Sequence, residues 1–440
     1  MKSDRRFEHD LPTLLDDLYM GPMPTYREHV LQHTARTRQR PAWSIPGRWL
    51  PSIGSGSRTA LRRRLPMRTI GLGLVIAGLI IAMLAALVAG APAKLPAPFG
   101  LARDGLVAYA SGGDIYTVDP VTGNSTAIVR GSETDLNPRW SRDGTRLAFE
   151  RKTTGDSGPG LLYVARADGS DLVQVTPEPL FNITSYDFSP DGREVLISAE
   201  ITGIVGNTIS GPGLFLAATD GSRIRQLDVG MPATNAAWRP PNGSEILFMD
   251  AGDPSNGYGA IHVVSVDGGA VRTILPSAAG SGRYRGHPAW SPDGFLISYG
   301  EWTDSDSLTV RTHIMAADGT GDRILPMPPS ATWQAPYSWS NDGSRLLAIR
   351  GYSGDVAQAR PVVIPVDGSG TGVEIPYPGG MENTSTSNWE WAPDDSLILG
   401  TPANASGALL DQVLLDPAKG TSRTLPWASV SQPSWQRLAP

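Results

Sequence analysis

A repeat with a period of about 50 residues runs through the chain beyond residue 101 and constrains its fold more than any other feature. Each copy has an aromatic residue, a turn centred on Asp-Gly or a close variant, and then an apolar strand. A second Asp/Gly turn follows about 30 residues later, after an alternating strand. Such turns join antiparallel strands, so each copy predicts about four short strands. Repeats of this length and content are typical of β-propeller blades. The repeated aromatics stand 48 to 52 residues apart, at Trp140, Phe188, Trp238, Trp290, Trp339 and Trp391.

The two ends of the repeat region predict how the propeller closes. Arg103-Asp104-Gly105 begins a copy that lacks its aromatic, and a second turn follows at 119–123. Trp435, near the other end, is an aromatic strand that lacks its turn. Joined, these pieces complete one blade, with Trp435 pairing beside residues 105–111. With six internal blades, the sequence predicts an all-β propeller of seven four-stranded blades, with six blades as the alternative.

The repeats resemble those of a known group of propellers. WSPDG at Trp290 and FSPDG at Phe188 are similar to the tryptophan-aspartate-like repeats of the TolB family and of prolyl-oligopeptidase-type propellers. The resemblance covers about 103–440 and implies protein interaction or substrate gating. TolB-type propellers commonly have six blades, which keeps that alternative open. In the peptidases the chemistry resides in a separate α/β-hydrolase domain, so the resemblance transfers no catalytic residue.

The segment before the repeats predicts a membrane anchor. Thr69–Ala91 is an uncharged stretch of 23 residues, long enough to cross a bilayer as one helix. Five arginines lie just before it, which favours a cytoplasmic amino terminus. We therefore expect a basic, partly helical and partly disordered cytoplasmic segment at 1–68 and a transmembrane helix at 69–91. A Pro-rich linker at 92–102 and an extracytoplasmic propeller at 103–440 follow. A cleaved signal peptide is the alternative to the anchor.

Charge and composition limit the chemistry. Residues 1–68 hold 13 Lys/Arg against 6 Asp/Glu, whereas the remainder holds 24 against 37. An acidic outer domain argues against a nucleic-acid partner. The chain has no Cys, which excludes disulfides, thiolate catalysis and Cys-bound zinc. His29 with His33, and Asp304 with Asp306, are incomplete ligand sets. We expect no catalytic residue, cofactor or metal site.

The repeated residues are best explained by the fold, and the irregular loops are the better candidates for function. Turn aspartates such as Asp143 are expected to form turns, and the blade tryptophans to pack between blades. The insertions at 155–160, 201–213 and 250–259 fall between second and third strands and would cluster on one face. Together with residues 281–287 they predict an interaction surface that includes Tyr258, Arg283, Tyr284, Arg285 and His287.

The leading hypothesis is a membrane-anchored, non-enzymatic interaction or sensing module. Its propeller would engage an extracytoplasmic protein, peptide or glycan, and residues 1–68 could contact a cytoplasmic protein and carry a signal inward. One alternative is a propeller enzyme, a metal-dependent hydrolase, lyase or lactonase that uses the central channel. Another is a structural subunit of an envelope complex.

Overall fold

The computed structural model describes ten stretches of the chain, namely residues 99–152, 160–177, 181–201, 212–250, 259–277, 283–303, 306–352, 355–377, 388–402 and 411–439. Within these stretches no helix has the length and apolar character needed to cross a membrane. The predicted cytoplasmic segment and transmembrane helix, with His29 and His33, lie outside the described residues.

Seven four-stranded antiparallel sheets contain all the strands of the described stretches, so the prediction of seven blades is confirmed and the six-bladed alternative is wrong. We number the blades I to VII. In blade I the strands run, from the channel outward, β28 (Ser434–Leu438), β1 (Arg103–Ser111), β2 (Asp114–Val118) and β3 (Ser125–Val129). Blade II contains β4 (Thr134–Trp140), β5 (Arg146–Lys152), β6 (Gly160–Arg166) and β7 (Val173–Gln174). Blade III contains β8 (Phe181–Phe188), β9 (Glu194–Ile201), β10 (Pro212–Ala218) and β11 (Ile224–Leu227).

The remaining four blades follow the same order. Blade IV contains β12 (Ala233–Trp238), β13 (Glu245–Asp250), β14 (Ile261–Ser265) and β15 (Arg272–Leu275). Blade V contains β16 (Arg283–Trp290), β17 (Leu296–Thr303), β18 (Asp306–Ala316) and β19 (Arg323–Ile324). Blade VI contains β20 (Ala331–Trp339), β21 (Arg345–Tyr352), β22 (Asp355–Pro365) and β23 (Val373–Glu374). Blade VII contains β24 (Asn388–Trp391), β25 (Ile398–Thr401), β26 (Val413–Asp416) and β27 (Thr421–Thr424).

Blade I closes the ring by strand exchange between the chain ends, as the sequence predicts. Strand β28 pairs antiparallel with β1, and Val107 stands opposite Trp435. The register shifts between Asp104 and Val107. A Cβ atom at Gly105 would lie 2.7 Å from Oε1 of Gln436, so only glycine allows this close approach. The prediction that Trp435 pairs beside residues 105–111 is confirmed.

The repeated turns form through the chemistry that the sequence suggests. Asp143 accepts a hydrogen bond from the backbone N–H of Thr145 (3.0 Å), and Gly144 has a φ of 69°. Blade VII departs from this pattern because Asp395 occupies the glycine position, with a φ of 61°. Its carboxylate accepts hydrogen bonds from the backbone N–H groups of Asn341 (2.7 Å) and Asp342 (2.8 Å) in blade VI. These bonds explain why a strained aspartate is tolerated there.

The hydrophobic core lies between blades, which is why a single blade could not be stable. One cluster joins Leu162 and Val164 of blade II to Phe188 and Ile197 of blade III. Blade tryptophans also bond to the preceding blade. The indole N–H of Trp238 donates to the carbonyl of Asp187 (3.2 Å). The indoles of Trp339 and Trp391 do the same to Ala289 and Ser338. The prediction that these tryptophans pack between blades is confirmed.

Candidate active site in the central channel

Two repeated positions of the blades, one near the end of the innermost strand and one just beyond it in most blades, face one mouth of the central channel in blades VI, VII, I, II and III. These are the residue before the repeated aromatic and the second residue after it. At this mouth they line a pocket of about 200 Å³. The charged and amide side chains at these positions of the pocket are Arg139, Arg142, Asp187, Asn341, Glu390 and Arg437. The equivalent residues before the aromatic in blades IV and V are alanines, Ala237 and Ala289. The mouth is therefore polar toward blades VI, VII, I, II and III.

β-Bulges on the innermost strands help to set the direction of these side chains. The register of β4 against β5 shifts between Leu136 and Arg139, and Asn137 within the bulge has a φ of 54°. Asn235 and His287 have similar φ values at the equivalent place in blades IV and V. Bulges of this kind redirect side chains beside functional sites.

Glu390 is the most perturbed carboxyl group of the pocket. It keeps part of its surface open to the pocket but is surrounded by protein, and this burial raises its pKa to about 7. The positive charge of Arg139 opposes that rise. The backbone N–H of Trp435 donates to Oε2 of Glu390 (3.1 Å), which fixes one carboxyl oxygen. A carboxyl group with such a pKa can accept or donate a proton near neutral pH.

Three arginines surround this carboxyl group. Arg142 forms an ion pair with Asp187 (2.9 Å). Arg139 donates to Oε1 of Gln432 (3.3 Å), and Arg437 donates to Oδ1 of Asn341 (2.7 Å). Burial, together with the nearby charge of Arg142, lowers the pKa of Arg437 to about 10.

The segment that leads into the propeller lies across the same mouth. The backbone N–H of Ala102 donates to the carbonyl of Pro393 (2.9 Å), and the carbonyl of Gly100 accepts a hydrogen bond from Arg437. The guanidinium carbon of Arg142 lies 4.9 Å from the centre of the Phe99 ring, a cation–π contact. The entry segment 99–102 therefore contacts residues that line the pocket, although it does not line the pocket itself.

Two larger clefts, of about 350 and 510 Å³, lie where blades II and III meet. Arg166 and Asp171 in the first are paired with each other and largely exposed. Arg193 and Asp191 in the second are also exposed. Solvated pairs of this kind are typical of an outer surface. The smaller channel pocket has the converging, partly buried charges that chemistry requires.

The predicted interaction surface lies elsewhere on the channel wall. Arg283, Tyr284, Arg285 and His287 all lie on β16. Both arginines donate to Glu301, each at 3.0 Å. The ring centres of Tyr284 and Trp302 are 6.1 Å apart.

His287 has a φ of 55° and an exposed side chain, and partial desolvation by the surrounding protein lowers its pKa. The insertions begin between second and third strands as expected, but their interiors, with Tyr258 and Asp304, lie outside the described residues. The side chain of Asp306 also lies outside them.

The comparisons with known proteins come from both sequence and structure. No family model matches the chain. An uncharacterized peptidase of Bacillus subtilis is 25% identical over 199 residues, which is 44% of this chain and 26% of the relative. This chain therefore spans about a quarter of the length of that curated relative.

An oligogalacturonate lyase in complex with manganese superposes with a TM-score of 0.53 at 15% identity, covering 76% of this chain and 86% of the lyase. A puromycin-hydrolyzing peptidase of Mycobacterium tuberculosis superposes with a TM-score of 0.51 at 18% identity, covering 76% and 54% of the two chains. Structures of TolB also match. The neighbours named so far, TolB aside, are enzymes. They contradict the expectation of a non-enzymatic interaction or sensing module. At these sequence identities the structural comparison shows only that the folds are alike.

Manganese in the lyase raises the question of whether this chain could hold a metal. Within the described stretches, no group of three or more His, Asp or Glu side chains is placed to hold a metal ion. Asp187 in the pocket is paired with Arg142 instead, and a guanidinium is not a metal ligand. The described residues of this channel therefore do not fit the metal.

Proposed function

We propose that the propeller is an enzyme whose reaction takes place in the channel-mouth pocket, with Glu390 as the general acid–base. The observation that carries this proposal is the position of Glu390, a largely surrounded carboxyl group with a pKa of about 7 that opens on a pocket lined by arginines. A group that titrates near the working pH is present in useful amounts in both protonation states. The enzymatic neighbours support the same class of function.

The residues around Glu390 would position this carboxyl group and stabilise charge during the reaction. The N–H of Trp435 holds Oε2 of Glu390, which leaves Oε1 to face a substrate. The guanidinium of Arg139 lies close enough to stabilise negative charge that develops beside Glu390. The ion pair of Arg142 with Asp187 fixes one side of the pocket. This arrangement suits bond cleavage by proton transfer, as in a hydrolase or a lyase.

Substitution of the carboxyl group tests this proposal. Full-length protein would be assayed on aryl esters, lactones, uronate oligosaccharides and peptide p-nitroanilides. Glu390→Gln should lower kcat by about 10² to 10⁴, because it removes the proton transfer but keeps the shape. Glu133→Gln, a matched change at an exposed carboxyl group, should leave kcat unchanged. Turnover that survives in Glu390→Gln would remove Glu390 from the mechanism.

A second candidate function is substrate gating for a peptidase. Both sequence relatives are peptidases, and the second, dipeptidyl-peptidase 5 of Porphyromonas endodontalis, is 37% identical over 75 residues, which is 17% of this chain and 10% of that relative. In this case the chain alone would be inactive on every compound of the panel. Peptide cleavage would then require a separate hydrolase domain or subunit.

The membrane anchor belongs to the same proposal. Thr69–Ala91 would span the bilayer with residues 1–68 in the cytoplasm, and the enzyme would act on an extracytoplasmic peptide or glycan. A phosphatase reporter fused after Pro440 should be active only outside the cytoplasm. Cross-linking from residues 1–68 would identify a cytoplasmic partner, if residues 1–68 bind one.

A further inference from the structure

Asp395 takes the place of a glycine in the turn between the first and second strands of blade VII. Its φ of 61° is a conformation that strains a residue with a side chain, whereas glycine adopts it freely. Asp395 is also only 5% exposed, so the turn buries a carboxylate. A residue that is unfavourable in both respects indicates a role that glycine cannot fill. Blades II to VI have a glycine at the same place, with φ between 68° and 72°, namely Gly144, Gly192, Gly243, Gly294 and Gly343.

The carboxylate of Asp395 orients Asn341, which lines the channel-mouth pocket. The side-chain amide N–H groups of Asn341 donate to Oδ1 of Asp395 (2.8 Å) and to the carbonyl of Ala392 (2.9 Å). An ionised carboxylate and a carbonyl only accept hydrogen bonds, so the amide nitrogen must face them. The amide oxygen of Asn341 then accepts from the guanidinium of Arg437 (2.7 Å), which only donates. The two neighbours therefore allow one orientation of the Asn341 amide and not the flipped one.

These contacts join three blades and end at the pocket. Asp395 belongs to blade VII, Asn341 to blade VI, and Arg437 to β28 of blade I. Arg437 also donates to the carbonyl of Gly100 through its other terminal nitrogen. Burial and the charge of Arg142 lower the pKa of Arg437, and the charge of Asp395 opposes that fall. Asp395 thus acts on Arg437 both through Asn341 and through its own charge.

We propose that Asp395 is a positioning residue of the channel-mouth pocket, which acts through Asn341 to hold the guanidinium of Arg437 in the pocket that contains Glu390. The strained turn of blade VII is retained because a glycine there could not orient Asn341. This inference rests on the proposed function in one respect, because Arg437 is taken to bind the substrate on which Glu390 acts. The contact of Asp395 with Asn341 and Arg437 does not depend on that function.

Two substitutions in the full-length protein test the proposal from opposite sides. Asp395→Asn keeps the shape of the side chain and removes its charge, whereas Asp395→Gly restores the residue of the other blades and removes the strain. Each should lower kcat/KM about tenfold on any compound of the panel that the wild-type protein cleaves, as expected for loss of one charged hydrogen bond. Asp293→Asn, the same change at an exposed turn aspartate of blade V, should leave kcat/KM unchanged. Wild-type kcat/KM in a folded Asp395→Gly protein would overturn the proposal.

Exchange of the two side chains provides a rescue. Asn341→Asp alone places two carboxylates side by side and should lower both Tm and kcat/KM. Combined with Asp395→Asn, it again sets a donor against an acceptor, keeps the net charge and still offers an oxygen to Arg437. The double variant should therefore recover part of the kcat/KM that each single variant loses. A double variant whose losses are the sum of the two single losses would contradict the orientation of Asn341 by Asp395.

NMR of the Arg437 guanidinium follows the same contact without turnover. Its N–H signals, assigned by their loss in Arg437→Lys, should exchange with solvent at least tenfold faster in Asp395→Gly than in the wild-type protein. Equal exchange rates in the two folded proteins would overturn the proposal. Faster exchange in a protein that cleaves no compound would refute only the enzyme. Faster exchange with unchanged kcat/KM would refute the role of Arg437 toward the substrate.

Discussion

Removal of the closing strand should unfold the whole propeller. Deletion of residues 431–440 removes Trp435, which is 2% exposed, and burying such a side chain is worth about 3–5 kcal/mol. It also removes side-chain hydrogen bonds to other blades, and we count four of them at about 1 kcal/mol net each. These bonds join Ser431 to Asn137, Ser434 to Trp140, Gln436 to Gly144 and Arg437 to Asn341.

The loss of about 7–9 kcal/mol is comparable with the total stability of a folded domain, about 5–15 kcal/mol. We therefore expect the deleted protein to lose its near-UV circular dichroism and its cooperative melt. A shorter deletion, of residues 438–440 alone, keeps Trp435 and Arg437 and should lower Tm by only a few degrees. A deletion of 431–440 that melts cooperatively at the wild-type Tm would refute closure by strand exchange.

Two further predictions concern the contacts of blade I with the blades on either side of it. Burial and the neighbouring Asp394 raise the pKa of Asp104 to about 6, so its contribution to stability is lost as pH rises from about 4 through 6. Asp104→Asn should therefore have a higher Tm than wild type at pH 7.5, and the difference in Tm should shrink toward pH 4. Thermal melts in which this difference does not change with pH would contradict the burial of Asp104 beside Asp394. Gly144→Ala would place its Cβ 2.2 Å from the carbonyl oxygen of Arg437, whereas Gly112→Ala, also at positive φ, meets nothing within 4 Å. Both changes should cost about 1–2 kcal/mol of stability from backbone strain. Only Gly144→Ala should lower Tm further, because its Cβ would displace β28. Equal Tm values for the two variants would argue against the contact between Gly144 and Arg437.

The fold was predictable from the sequence because its determinants are local and repeated. Each Asp-Gly turn and alternating strand specifies part of a blade, and the unpaired pieces at Gly105 and Trp435 define the closure. Sequence inspection also assigned the repeated tryptophans to packing, which Trp238 and Trp339 confirm through bonds to the preceding blade.

The candidate site was not found in the sequence because its residues come from distant blades. Arg139 and Arg437 lie almost 300 residues apart and converge only when the ring closes. One signal was present, since an alignment of the repeats on their aromatics shows charge at the preceding position in three blades, as Arg139, Asp187 and Glu390. The expectation of a non-enzymatic protein was wrong because it rested on the lack of a familiar catalytic motif.

The pH dependence of kcat/KM tests the central claim most directly. For any compound of the panel that the full-length protein cleaves, the profile between pH 5 and 9 should contain a limb with an apparent pKa near 7, set by Glu390. Glu390→Gln should lose that limb together with most of the activity, while Glu133→Gln keeps both. An unchanged limb in Glu390→Gln, or no turnover of any compound by folded protein, would contradict the assignment of Glu390 as the general acid–base.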